Sequence, residues 1–499
     1  MKNISHKHYG GYFVGKDIVM AKLKWKLILN KKRIKDYKVS KKSFDVRNEF
    51  ENDYDRILFS ASFRRLQDKA QVFPLEKLDF VRTRLTHSLE VSSIAKSLGK
   101  SAGMKLIQKM NTNEDKVSQE DVDDMCNILA CAGLIHDLGN PPFGHFGEVA
   151  IREWFEDKLA KNEGDTYTFK FGYNECVLGK QEGLDLLNFE GNAQALRILT
   201  KLHFVIDRYG MNLTIGVLSA IIKYPISSLE LDKTMGYNKK IGFYKAEEKA
   251  FKEIMEATRL EGVRNPLVFI LEAADDIAYL LGDLEDAFNK KIVSHDIFKM
   301  KYEEFLEQKG YEEKSLEESL SFYLSKNYDI AKEEYGYEDP GEYALKSFII
   351  KLNKYLRDSV VEEFIASYDQ IMEGKYQGEL IGNSKAKNIS LFLRNITKEY
   401  VYNNDRIVSN EIVGYNIIHK LLDNFVPVAL NKNVKAYKGY DGKVYSLISK
   451  NYRFICEQRI EQENCSEEYC KLLLITDFIC GMTDSYAAYI YQELMAIKL

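Results

Sequence analysis

Fourteen consecutive residues, Ile135-His136-Asp137-Leu138-Gly139-Asn140-Pro141-Pro142-Phe143-Gly144-His145-Phe146-Gly147-Glu148, constrain this chain more than any other stretch. They set an adjacent His-Asp pair, a Gly/Pro-rich turn, a second His and a Glu within one short span. The run from Asn127 to Leu134 before them is apolar and predicts a buried helix. Ionisable groups at the end of such a helix, where the chain turns sharply, are costly to bury unless a cation compensates them. The stretch predicts a metal-centred site, provided other segments supply the missing ligands.

The chain has 499 residues and only 7 prolines, with few Ser/Gly-rich linkers, which favours one compact, all-α body with a small β-hairpin element. Lys plus Arg number 71 against 75 Asp plus Glu, a net charge of −4 that argues against a general polyanion binder. Residues 1–50 nevertheless carry 14 Lys/Arg and 4 Asp/Glu. That composition predicts a basic arm over 1–45, either solvated or in contact with nucleic acid or an anionic substrate. A catalytic core over 46–295 and a helical region over 296–499, packing on the core and contributing oligomer contacts, complete the expected organisation. The seven cysteines form no CxxC pair, as expected for free thiols in a reducing cytoplasm. No apolar run approaches the ~20 residues of a membrane span, and residues 1–30 lack a signal-peptide core.

Helical spacing is expected from Asn48 through Asp68, from about Val81 past Leu98, over Asp121–Asp137, from Gly147 to Leu159, from Phe189 to His203 and over Leu213–Tyr224. It resumes over Ala246–Arg259 and Pro266–Asn289 and in several amphipathic helices across 296–425. Residues 162–185 read as a loop or small hairpin, and 430–452 as the best β candidate, with Lys435-Ala436-Tyr437 and Lys443-Val444-Tyr445 flanking Gly439 and Gly442. Tyr469–Leu494 reads as one long closing helix.

Among 8 histidines, His6, His8, His295 and His419 read as surface residues and His203 as a satisfied core residue. His87 opens a helix that would pack beside the one bearing His136. A mononuclear site needs a further carboxylate. Asp275 and Asp276 interrupt an otherwise apolar helix, where an uncompensated charge would cost several kcal/mol. Asp275, Tyr279 and Asp283 share one face at i, i+4 and i+8, while Asp276 points roughly 100° away. At this level the acids could equally cap helices or pair with Lys/Arg.

The order His87, His136-Asp137, Asp275 resembles the signature of the HD-domain metal-dependent phosphohydrolases. Longer words are similar to the bacterial dGTPases, the deoxyguanosine triphosphate triphosphohydrolases: Arg64-Arg65-Leu66-Gln67, Gln71-Val72-Phe73-Pro74-Leu75-Glu76, Val81-Arg82-Thr83-Arg84-Leu85-Thr86-His87-Ser88, Phe189-Glu190-Gly191-Asn192-Ala193-Gln194 and Glu272-Ala273-Ala274-Asp275-Asp276-Ile277. Together with the opening stretch and Asp477-Phe478-Ile479-Cys480-Gly481-Met482-Thr483-Asp484, they extend the resemblance from about Trp25 to the end.

The resemblance implies hydrolysis of a deoxynucleoside triphosphate, dGTP favoured, to the deoxynucleoside and inorganic triphosphate. It implies one divalent ion, Mn²⁺ or Mg²⁺, held by His87, His136, Asp137 and Asp275. His145 would be the acid/base group and Glu148 its orienting carboxylate. Arg84, Lys223 and Tyr224 would contact phosphates, Asn192 the substrate, and Gln71 the region of the sugar. Tyr279 would stack beside the deoxyribose, and Asp283 would meet the sugar or a phosphate-bound cation. Relatives of this kind form hexamers or lower homo-oligomers and respond to nucleotides or single-stranded DNA. The competing classes are another HD nucleotidase or phosphodiesterase, and a sensor that binds nucleotide or nucleic acid without turnover.

Overall fold

A computed structural model describes residues 22–35, 46–75, 78–109, 116–203, 209–232, 238–309, 316–460 and 465–497. The fold is predominantly helical with one small antiparallel sheet. Helices α1 (Arg84–Lys109) and α2 (Gln119–Ile135) run antiparallel and form its centre. Their approach is so close that a Cβ on Gly133 would lie 2.5 Å from the Ser92 Cα. Ser118 starts α2 through a capping box with Asp121, satisfying two otherwise orphaned donors. The antiparallel pairing brings the beginning of α1 beside the end of α2, so His87 and His136 share one end of the pair.

The motif turn leads into α3 (Gly144–Glu156), a three-stranded meander (β1 Leu159–Lys161, β2 Thr166–Phe171, β3 Asn174–Gly179) and α4 (Gly191–Arg197). A Cβ on Gly139 would fall 1.9 Å from the Gly191 carbonyl oxygen, so only glycine lets the turn rest on the start of α4. Helix α5 (Pro266–Asn289) begins with an Asn265 cap and a proline at its first turn, and lies across α1. Helices α6 (Asp405–Leu430), α7 (Glu467–Cys480) and α8 (Asp484–Leu494) close the molecule around α3 and the sheet.

Two apolar cores result. One gathers α1, α2, α5 and the helices between α5 and α6. The other gathers α3, the meander and α6–α8. Between them Arg197 is buried and chelates Asp477 through two 2.6 Å bonds while donating to Glu247 at 2.8 Å. Arg197→Ala would strand two buried carboxylates, and about 3–5 kcal/mol of stability should be lost, measurable as a reduced midpoint in urea unfolding.

Several expectations need correction. The span 430–452 contains no strand; it is largely helical, with a helix over Gly439–Leu447. Tyr437 adopts φ 65°, and its N–H donates to the Gly442 carbonyl and the Ser446 hydroxyl, so the segment closes on itself rather than pairing. The hairpin expected within 162–185 is present as β2–β3, extended by β1 into a sheet over 159–179. The closing helix is two helices, because the Thr483 side chain caps α8 and interrupts the run. Ser60 does the same within 48–68. The helix expected over Leu213–Tyr224 is confined to Ile215–Ala220. His295 and His419 are not surface residues: their rings stack on Tyr328 at 4.9 Å and Tyr415 at 4.1 Å, and each Nε2 is buried. His203 is half-buried and bonded to Ser62 at 2.6 Å. His6, His8 and most of the basic arm lie outside the described residues. No described helix is long and apolar enough to cross a membrane.

Candidate metal centre and acid/base dyad

His87, near the start of α1, places Nε2 3.0 Å from Asp275 Oδ1 on α5, across 188 residues of chain. His136 caps the end of α2, with Nε2 3.5 Å from the same oxygen and 3.7 Å from Asp137 Oδ1. His87, His136 and Asp137 each offer an atom within 4.8 Å of the others. His136 Nδ1 donates to the Gly133 carbonyl at 2.8 Å, which fixes the tautomer and leaves Nε2 for the cluster. That Nε2 is buried without a hydrogen-bond partner.

The electrostatics match a cation site. Burial pushes the Asp137 carboxyl up, but the Arg84 guanidinium and His136 outweigh it and bring it to about 2. Burial likewise opposes charge on His136, yet Asp137 and Asp275 raise it to about 9. Asp275, though desolvated, is held well below the usual carboxylate range by His136 and His87. Two carboxylates thus stay ionised, with a proton on His136 as part of their compensation. Two imidazoles and two carboxylates are a donor set that suits a divalent ion displacing that proton.

Beyond the turn, Phe143 takes a left-handed φ of 62°, a conformation costing a non-glycine residue of the order of 1–3 kcal/mol. It starts α3 so that His145 lies in the first turn, its side chain 78% exposed. His145 Nδ1 lies 3.4 Å from Glu148 Oε2, while Glu148 Oε1 accepts the Gly191 N–H at 3.0 Å. Burial favours the protonated Glu148, but the bond and charge of His145, then Lys240 and Arg152, keep its carboxyl below the ordinary range.

The remaining predicted residues divide into engaged and open groups. Arg84 is buried and paired with Asp137. Lys223 lies 3.2 Å from Glu272 and 5.7 Å over the Tyr224 ring, and its charge is supported by Glu272, Tyr224, Asp275 and Asp276 in turn. Asn192 donates to Glu190 at 2.8 Å, and the Gln71 side-chain oxygen is buried without a partner. Tyr279 stacks on Tyr402 at 6.2 Å, and Tyr402 donates to Asp283. Asp276 points away, as the helical wheel predicts, and pairs with Arg394 at 2.7 Å.

Three neighbours escaped the sequence reading. Lys240 pairs with Glu190 at 3.1 Å and supports the charges of both Glu190 and Glu148. It lies outside any helix or strand, in a stretch with no periodicity to mark it. Glu190 was legible only as part of a family word. Tyr402 ends a π-helical segment, Thr397–Tyr402, that no local pattern reveals.

The chain is similar to known proteins over almost all of its length. The HD domain model matches residues 84–199, which include His87, His136, Asp137, His145 and Glu148 but not Asp275. A deoxyguanosinetriphosphate triphosphohydrolase-like protein of Listeria monocytogenes is 44% identical over 487 residues, 95% of this chain and all of that protein. One from Synechocystis is 32% identical over 96% of this chain and its own full length. A deoxyguanosinetriphosphate triphosphohydrolase of Yersinia pseudotuberculosis is 32% identical over 91% of this chain and 95% of its own.

Proposed function

Since the chain belongs to the deoxyguanosinetriphosphate triphosphohydrolase family, we propose that it hydrolyses deoxynucleoside triphosphates, dGTP preferentially, to the deoxynucleoside and inorganic triphosphate. The observation that carries the reading is the convergence of His87, His136, Asp137 and Asp275 beside a separate His145–Glu148 dyad. These four residues would hold a divalent ion, Mn²⁺ or Mg²⁺. Bound there, the ion supplies Lewis-acid polarisation of the α-phosphate and acidifies a water molecule.

The protein's own groups do the rest. Water adds to the α-phosphorus as its bond to the 5′ oxygen breaks, His145 donates the proton that the leaving 5′ oxygen takes up, and the proton lost by the water passes to solvent, from which His145 is reprotonated. Ionised Glu148 orients that imidazole and supports its charge. Lys223, Tyr224 and Lys240 supply cations and a hydroxyl for the triphosphate, with Asn192 beside them. Arg84 holds Asp137 and, in this reading, adds a cation for the phosphates. Gln71, Tyr279 and Asp283 receive the sugar, Tyr279 leaving no room for a 2′-hydroxyl.

Incubating the purified protein with each dNTP and Mn²⁺ or Mg²⁺, followed by phosphorus NMR, should reveal inorganic triphosphate as the sole phosphorus product. Pyrophosphate with a monophosphate, or orthophosphate release, would replace this reading with another HD hydrolase. Tight nucleotide binding without turnover would make the protein a sensor.

A further inference from the structure

We infer that Lys69 and Asp484, remote in sequence from the motif, act as positioning residues that clamp the turn between the metal pair and the acid/base helix. The inference rests on the hydrolase reading for its kinetic half only. The Lys69 side chain is buried, and its ammonium donates to the Asn140 carbonyl at 2.6 Å and the Cys480 carbonyl at 2.7 Å. Asn140 in turn donates its side-chain amide to Asp137 Oδ1 at 2.6 Å. The backbone of Lys69 also accepts the Arg84 N–H at 2.9 Å, fixing the start of the helix that carries His87. One residue therefore ties the end of α7 to both sides of the histidine cluster.

Asp484 acts on the far side of the same turn. Also buried, it accepts the Ala70 N–H and the Phe143 N–H, each at 2.9 Å, the first across 414 residues. Phe143 is the left-handed residue that starts α3, two positions before His145. Anchoring its N–H holds a conformation that the backbone alone disfavours. Burial brings the Lys69 ammonium down to about 8. A cation kept where desolvation opposes it argues for a specific demand on its two carbonyl partners.

The two halves predict different signatures, which a generally structural role would not produce. Lys69 reaches Asp137 through Asn140, so Lys69→Met should weaken Mn²⁺ binding about 10- to 100-fold, the range for outer-shell support of a metal ligand, and lower kcat. Asp484 holds the Ala70 N–H and the entry to α3, and hydrogen-bonds neither Asp137 nor Asn140. Asp484→Ala should leave Mn²⁺ affinity intact and lower kcat about 10²-fold through misplacement of His145, with KM little changed. Leu324→Ala, a buried core change far along the chain, serves as the control for lost stability. If Asp484→Ala does not fold, Asp484→Asn retains one acceptor and should lose part of the same rate.

Calorimetric Mn²⁺ titration, circular dichroism and steady-state kinetics on the full chain provide the readouts. Unchanged Mn²⁺ affinity in folded Lys69→Met overturns its role. A kcat loss in the Asp484 variant no greater than that of Leu324→Ala overturns the other half. If the wild-type protein releases no triphosphate, the hydrolase reading fails, yet weakened Mn²⁺ binding in Lys69→Met still supports the clamp.

Discussion

His136→Ala should abolish stoichiometric Mn²⁺ binding and lower dNTP hydrolysis at least about 10³-fold, on the basis that the ion would supply several kcal/mol of charge stabilisation and each 1.36 kcal/mol is tenfold in rate. The expectation follows from how the side chain is prepared. Its Nδ1 is committed to the Gly133 carbonyl, and its Nε2 is buried without a hydrogen bond, 3.5 Å from Asp275 and 3.7 Å from Asp137. Removing the ring takes away a ligand and also the site of the proton that offsets those carboxylates in the metal-free protein. Asp276→Asn is the matched control. It is adjacent to Asp275, but its carboxylate faces Arg394, so metal binding should persist. Calorimetric titration with Mn²⁺ measures both variants. Retained metal in His136→Ala would remove that residue from the ligand set.

How much of this was legible depends on the range of each interaction. The paired histidines were accessible because apolar spacing defines α1 and α2, and a helix pair must bury its stripes against each other. The face carrying Asp275, Tyr279 and Asp283 followed from the 3.6-residue period, as did the turn of Asp276 away from it, although not its partner Arg394. What the period cannot encode is the partner across the cavity. Tyr402 meets Asp283 over 119 residues from the end of a π-helical segment, and Lys240 meets Glu190 over 50 from a stretch without helical rhythm. The misread β candidate has a related cause. Alternating Tyr and Val favour a strand only where another strand accepts their backbone groups, and here the Tyr437 N–H is satisfied within its own loop. Thr483 shows that one capping hydroxyl can outweigh a long apolar pattern.

His145→Ala should separate catalysis from metal binding. His145 lies beyond the turn from the cluster, and its ring contact is with Glu148 rather than with Asp137 or Asp275. Mn²⁺ affinity should therefore remain at the wild-type value while kcat falls about 10²–10⁴-fold, the usual contribution of a positioned acid or base. Two further measurements bear on its role. Because the imidazole is largely exposed, the space it vacates is open to solvent, and added imidazole should restore part of the rate. An aryl triphosphate, whose leaving group departs without a proton, should lose far less on the same substitution than dGTP does. Glu148→Gln should lie between His145→Ala and the wild type, since it keeps a hydrogen-bond acceptor but removes the ionised carboxylate that burial alone would have neutralised. Loss of metal from His145→Ala would place its ring inside the ion's coordination sphere. Equal losses for dGTP and the aryl substrate would take the proton away from the leaving group and assign His145 instead to activation of the attacking water.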